Sequence, residues 1–222
     1  MALAKAINLG GVNCYLLSAA EGFVLIDTGF RGKRAQLENA LERAGCVPGK
    51  LKLIVLTHGD SDHADNCAYF RKKYGCPVAM HGLDSGMVEK GDMGWNRKPR
   101  ADRYSLMFRL IGLVARLVSG GSKFERFTPD ILIDELFDFS SYGLNAKVLH
   151  IPGHSKGSIG ILSDDRKLFC GDFAYNLPGF RFIDSLDDHR MSMNKIRKLE
   201  IDTVYPGHGK PFPMSVLQKR TM

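Results

Sequence analysis

Between residues 12 and 80, short apolar runs alternate with breaks rich in glycine, aspartate and asparagine. Residues 12–18 and 23–27 carry branched and aromatic side chains on either side of AAEG, which predicts the two strands of a hairpin. Leu37 and Leu41 stand at helical spacing within 31–44, and Gly45 follows where a helix C-cap belongs. The run LKLIVL at 51–56 reads as a buried strand. A helix over 65–74 closed by Gly75 and a short strand over 77–80 complete the region.

The last third returns to the strand pattern at 146–151, 158–162, 167–170 and 203–205. A helix over 186–199 and a short one after Pro211 flank these strands. Two strand-rich halves with helices at their outer edges predict two sheets packed face to face with helices outside, an α/β (α+β) arrangement. No low-complexity linker separates the halves, so residues 1–222 are expected to form a single domain. The segment at about 93–127 breaks the pattern. It sets Arg97, Lys98, Arg100, Arg103, Arg109, Arg116, Lys123 and Arg126 against Asp102 and Glu125, and 105–118 is apolar on nearly every side of a helix. This insertion reads either as a helix packed over the core with its arginines snorkelling, or as a lid, a dimer arm or a membrane-surface helix.

Composition narrows the picture. An apolar fraction of 44% and a charged fraction of 25% are those of an ordinary soluble globular protein. The net charge of +7 suits an anionic small-molecule substrate; without an arginine-rich tail or an aromatic-basic repeat, nucleic acid is not the expected partner. The start, MALAKAINLGG, lacks the apolar core of a signal peptide, and nothing approaches the run of about 18 apolar residues of a membrane span. The five cysteines are odd in number and form no CxxC pair, so they read as reduced thiols in a cytoplasmic protein.

Two motifs suggest chemistry without completing it. GFRGKR at 29–34 lacks the spacing and the hydroxyl residue of a phosphate loop. GHSKG at 153–157 is a G-x-S-x-G that follows a strand, with Asp172 and His208 later in the chain, the order of a serine hydrolase using Ser155. A nucleophile elbow turns from strand into helix, however, and SIGILS reads as another strand. Four further clusters follow predicted strands: His58, Asp60, Asp62 and His63 in THGDSDH, His154 in PGHS, Asp172 in CGDF and His208 in PGHG. Imidazoles and carboxylates on such loops are what divalent metals take in hydrolytic sites. His81, His150 and His189 have no such company and read as structural.

NCYLL, LIDTGF, VLTHGDSDHADN, HIPGHSKGSIGIL, CGDF and YPGHGK stand in the order seen in the metallo-beta-lactamase fold superfamily, which the sequence resembles over essentially its whole length, on its glyoxalase II and lactonase-like branch. The resemblance implies a four-layer αββα sandwich with its metals at one edge between the sheets, in agreement with the layer argument. It implies His58, Asp60 and His154 around a first divalent metal, Asp62, His63 and His208 around a second, and Asp172 bridging both. Position 60 is usually histidine in this family; Asp60 either adds an oxygen ligand, which admits iron or manganese beside zinc, or points away and leaves one working metal. A metal-bound hydroxide, dinuclear by this resemblance, would attack a small ester, thioester, lactone or phosphoester. Asp62 would orient the nucleophile, and Tyr175 lies where related lactonases place a tyrosine near the substrate carbonyl. The acidic residue at position 60 also fits a diiron oxidoreductase working with a separate redox partner.

Overall fold

The computed structural model describes residues 4–104, 125–176 and 182–219. The first sheet contains β1 (Ala4–Asn8), β2 (Asn13–Ala19), β3 (Gly22–Ile26), β4 (Leu51–Val55), β5 (Val78–Met80) and β7 (Ile131–Leu132), side by side in that order. The first three form an antiparallel meander; β3, β4, β5 and β7 then run parallel. The parallel steps are bridged by helices, as parallel strands require. A 3-10 turn at Arg31–Lys33 leads into α1 (Arg34–Glu42), and α2 (Ser61–Ala64) and α3 (Cys67–Tyr74) join β4 to β5. After β5 comes α4 (Gly82–Lys90).

The second sheet orders β13 (Phe212–Pro213), β12 (Thr203–Pro206), β10 (Lys167–Gly171), β9 (Ile159–Ser163) and β8 (Ala146–His150). Here β10 and β12 are parallel, and β9 is antiparallel to both its neighbours. Helix α5 (Leu186–Ile196) precedes β12, and α6 (Ser215–Gln218) follows β13. A two-stranded ribbon of β6 (Arg103–Tyr104) and β11 (Phe182–Ile183) stands apart from both sheets.

Side chains alternating along the strands divide the core into three apolar layers. In β2, Cys14 and Leu16 face α1 and α3, joining Leu37, Leu41 and Phe70. Tyr15 and Leu17 point the other way, toward Val148, Ile159, Ile161 and Phe169 of the second sheet. On that sheet's far face, Leu149, Leu162 and Leu168 pack on Met193 and Ile196 of α5. Helix, sheet, sheet, helix is the expected four-layer order.

The helix expected at 31–44 begins with a 3-10 turn, and the one expected at 65–74 is α3, which starts at Cys67 and is preceded by the separate α2, with Asp65 and Asn66 between the two. Asn66 is buried, and its side-chain amide donates to the carbonyls of Thr28 and Phe30, so its side chain serves the neighbouring loop. The structure also adds β1 and α4, which the hydrophobic pattern does not predict. The apolar helix expected at 105–118 lies outside the described residues. Among the described residues no helix is long and apolar enough to cross a membrane.

Candidate metal centre

Strand direction explains where the polar clusters meet. β3 and β4 are parallel in one sheet, and β8, β10 and β12 share a direction in the other, so the loops leaving their C-terminal ends gather at one edge of the sandwich. Cross-sheet hydrogen bonds close that edge, Ile159 N donating to Thr57 O at 2.9 Å and Asn13 N to Gly207 O at 2.8 Å, while within the second sheet Gly207 N donates to Gly171 O at 2.7 Å. Gly207 allows the close approach, since a Cβ there would lie 2.3 Å from Asp172 Oδ1 and 2.6 Å from His63 Cε1.

All seven expected ligands converge there, in three overlapping groups that could each hold a metal ion: His58, Asp60 and His154; Asp62, His63 and His208; and His58, His63 and Asp172. His208 Nε2 is 3.2 Å from Asp62 Oδ2 and 3.3 Å from Asp172 Oδ2, and His63 Nε2 is 3.2 Å from Asp172 Oδ1. Donors around a tetrahedral ion at about 2.0–2.1 Å stand roughly 3.3 Å apart, so these spacings suit one.

Each imidazole is held by its other nitrogen. His58 Nδ1 meets Thr57 Oγ1 at 2.9 Å, and His63 Nδ1 meets Asp27 Oδ2 at 2.8 Å. His154 Nδ1 faces the Phe182 carbonyl at 3.2 Å, and His208 Nδ1 that of Gly11 at 2.5 Å. Because the Thr57 hydroxyl donates to Asp27 Oδ2, it must accept from His58, which puts that ring's proton on Nδ1. All four Nε2 atoms therefore turn inward. His58 Nε2, His63 Nε2 and Asp172 Oδ1 are buried without an aligned hydrogen-bond partner. Orphaned acceptors facing one point form a cradle for a cation, and the donor set fits a divalent metal.

Charge divides the centre in two. Burial opposes the charged form of His208, but Asp172 and Asp62 overcome it and push this imidazole up to about 10. Burial likewise works against the Asp172 carboxylate, yet His208 and His63 hold it well below the usual range. His58 goes the other way, since burial and the rings of His63 and His154 keep it neutral.

Asp60 points into the centre, its Oδ2 3.0 Å from His154 Nε2 and 3.7 Å from His58 Nε2. It also meets a residue that the sequence analysis placed only in the basic insertion. Arg97 Nη2 lies 2.9 Å from Asp60 Oδ1, 3.0 Å from Oδ2 and 3.3 Å from His154 Nε2. Its guanidinium rests over the Phe182 ring at 4.9 Å.

Tyr175 is buried, with its ring centroid 5.9 Å from that of His208; burial and the Asp172 charge push its phenol well above the ordinary value. Ser155 Oγ donates to Asp84 Oδ2 at 2.5 Å and shares a hydrogen bond with Ser158, and its loop runs on into β9. His81 and His150 stack on each other with centroids 4.3 Å apart, and His189 packs on Phe173. Sequence reasoning missed Asp27, Thr57, Asp84 and Arg97. The available signal for Asp27 was a carboxylate closing the apolar run FVLI just before Thr28-Gly29; for Arg97 there was none beyond its charge.

Comparison with known proteins bears on the family and the fold. The family profile described as Metallo-beta-lactamase superfamily matches residues 7–208. A Caenorhabditis elegans Beta-lactamase-like protein 2 homolog is 22% identical over 203 residues, 91% of this chain; the chain spans only 57% of that relative. The Bos taurus protein named Acyl-coenzyme A thioesterase MBLAC2 is 26% identical over 223 residues, covering 90% of this chain and 74% of its own. Among solved structures, TTHA1623 in a di-iron-bound form superposes with a TM-score of 0.70 at 24% identity, over 98% of this chain and 97% of that one.

Two outcomes follow from the site's geometry. Asp27→Asn keeps an oxygen for Thr57 but loses the charge that orients His63, and should weaken zinc binding about 10–100-fold in competition with a chromophoric chelator. In chelator-stripped protein, His208 is raised from about 6.5 unfolded to about 10 folded, so its stabilisation is complete below pH 6.5 and lost as pH rises toward 10. Asp172 is lowered, so its share is present above its unfolded value of about 3.9 and lost at lower pH. Urea midpoints of stripped protein should therefore peak between about pH 4 and 6.5, and zinc, by displacing the His208 proton, should flatten the alkaline fall.

Proposed function

The chain belongs to the metallo-beta-lactamase superfamily, and from that premise we propose that it is a metal-dependent hydrolase of a small ester, thioester, lactone or phosphoester, with acyl thioesters the class to try first. The observation that carries the reading is the inward turn of four Nε2 atoms onto buried carboxylates, each ring fixed by its Nδ1. The bovine relative's name supports the thioester class.

Asp62, His63, Asp172 and His208 would hold the ion, zinc by preference, and the reading needs only that one. A bound divalent metal lowers the pKa of water from about 15.7 toward 7 and so supplies a nucleophile at neutral pH. The chain does the rest. Asp62 is the accessible carboxylate of the set, its side chain 41% exposed where that of Asp172 is 4%. It would orient the attacking water and take its proton. Tyr175, kept protonated by burial and by Asp172, would turn its hydroxyl from Asp172 to the substrate oxygen as negative charge develops there. The new bond joins water oxygen to carbonyl carbon, the carbon–sulfur bond breaks, and the thiolate leaves with the proton returned through Asp62.

Thiol release from acyl-coenzyme A esters, run beside ester, lactone and phosphodiester substrates, tests this. Hydrolysis of at least one class, abolished by chelation and restored by zinc, is expected; inactivity of zinc-loaded protein on all four would sink the proposal. Tyr175→Phe should lower kcat about 100-fold with zinc content unchanged, and an undiminished kcat would remove Tyr175 from the mechanism.

A further inference from the structure

We propose that Arg97 is a built-in cation of the first ligand set and excludes a metal ion from it, so that the centre works with a single metal ion on the His208 side. The inference rests on the metal-dependent reading above and refines its stoichiometry.

The strap bearing Arg97 is fastened on both sides. Asn96, in a left-handed conformation at φ 58°, donates to Leu83 O of α4 at 3.0 Å and accepts from Lys156 Nζ at 2.9 Å. Lys98 N donates to Asp184 Oδ1 at 3.1 Å, and Lys98 Nζ pairs with Asp102, which also accepts from Leu186 N. Asp102 leads directly into β6 and its pairing with β11. The arginine between these anchors is not a solvated surface chain: its side chain is only 11% exposed. Asn96 and Lys98 set the position of the strap, and Arg97 is delivered into the centre by it.

The atoms it meets need a cation. His154 Nε2 and Asp60 Oδ2 are both acceptors when Nδ1 carries the ring proton, yet they stand 3.0 Å apart. Arg97 Nη2 lies within 3.3 Å of each and bridges them. Charge counting then separates the two ligand sets. Asp60 is the one carboxylate of the first set, and the Arg97 guanidinium bonded to it offsets its charge. Asp62 and Asp172 stand beside the imidazoles of His63 and His208 with no guanidinium bonded to them among the described residues, so two carboxylates remain there to complement one divalent ion. A second dication at Asp60 would replace a guanidinium already bonded there and stand against its charge at short range. His58 does not require it, because its Nε2 also lies in the group with His63 and Asp172 on the His208 side. The aspartate at position 60 and the arginine at 97 thus form one device, in which carboxylate and guanidinium take the place of histidine and metal.

The test is a metal count. Wild type, Arg97→Ala and Arg97→Gln are equilibrated with excess zinc, separated from free ion and measured by elemental analysis; Arg97→Gln keeps a donor for Asp60 should the alanine variant fail to fold. About one zinc per chain in wild type, rising to about two in the variants, is the expected result. About two in wild type, or no rise in a folded variant, would overturn the role of Arg97 while leaving the metal-dependent reading intact. No zinc in any of the three would overturn both.

Discussion

The carboxylate of Asp27 is the constraint on which the centre depends. It ends β3 in a left-handed conformation at φ 59°, uncommon for a residue with a side chain. From there Oδ1 accepts from Thr57 N at 2.8 Å, while Oδ2 takes both the Thr57 hydroxyl and His63 Nδ1 at 2.8 Å each. One buried anion thus fixes the loop after β4, the tautomer of His58 through Thr57 and the orientation of His63. Its cost is a strained backbone and a desolvated charge. Such costs persist where the surrounding structure over-determines them, and they concentrate at functional sites.

The opposite wall is built in the same way from a different anion. Asp84 on α4 is fully buried; it accepts from Ser155 Oγ and, at 2.8 Å, from Gly157 N, holding the loop that presents His154. Burial raises the Asp84 carboxyl, and the hydrogen bonds from Ser155 and Gly157 work against that rise. The motif that imitates a nucleophile elbow therefore serves as a brace: Ser155 gives its proton to a carboxylate, and the glycine beside it gives a backbone amide. Two buried aspartates, one behind each sheet's loops, set the histidines before any ligand arrives.

The sequence made the four layers legible because they follow local rules. Alternation in β2 and helical spacing of Leu37 and Leu41 are properties of a few neighbouring residues. The seven metal-ligand candidates were legible for another reason, since polar side chains just past buried strands are costly without a purpose. What escaped were partners joined across the chain. Asp27 meets His63 over 36 positions, Ser155 meets Asp84 over 71, and Arg97 meets Asp60 over 37. No periodicity encodes such pairings; the crossing of two sheets at one edge does. β1 and α4 escaped for a local reason: AKAIN and GLDSGMVEK carry weak propensity and are held by tertiary contacts instead.

Trp95, two positions before Arg97, is the single tryptophan of the chain. Its indole lies so close to Gly86 that a Cβ there would stand 2.2 Å from Nε1, and the Lys90 ammonium sits 3.3 Å from the ring centroid. The strap therefore carries its own chromophore, clamped between a helix and a positive charge. Any event that lifts the strap changes both the polarity and the electric field around that ring, and emission from the unlabelled protein reports on it with no background from another indole.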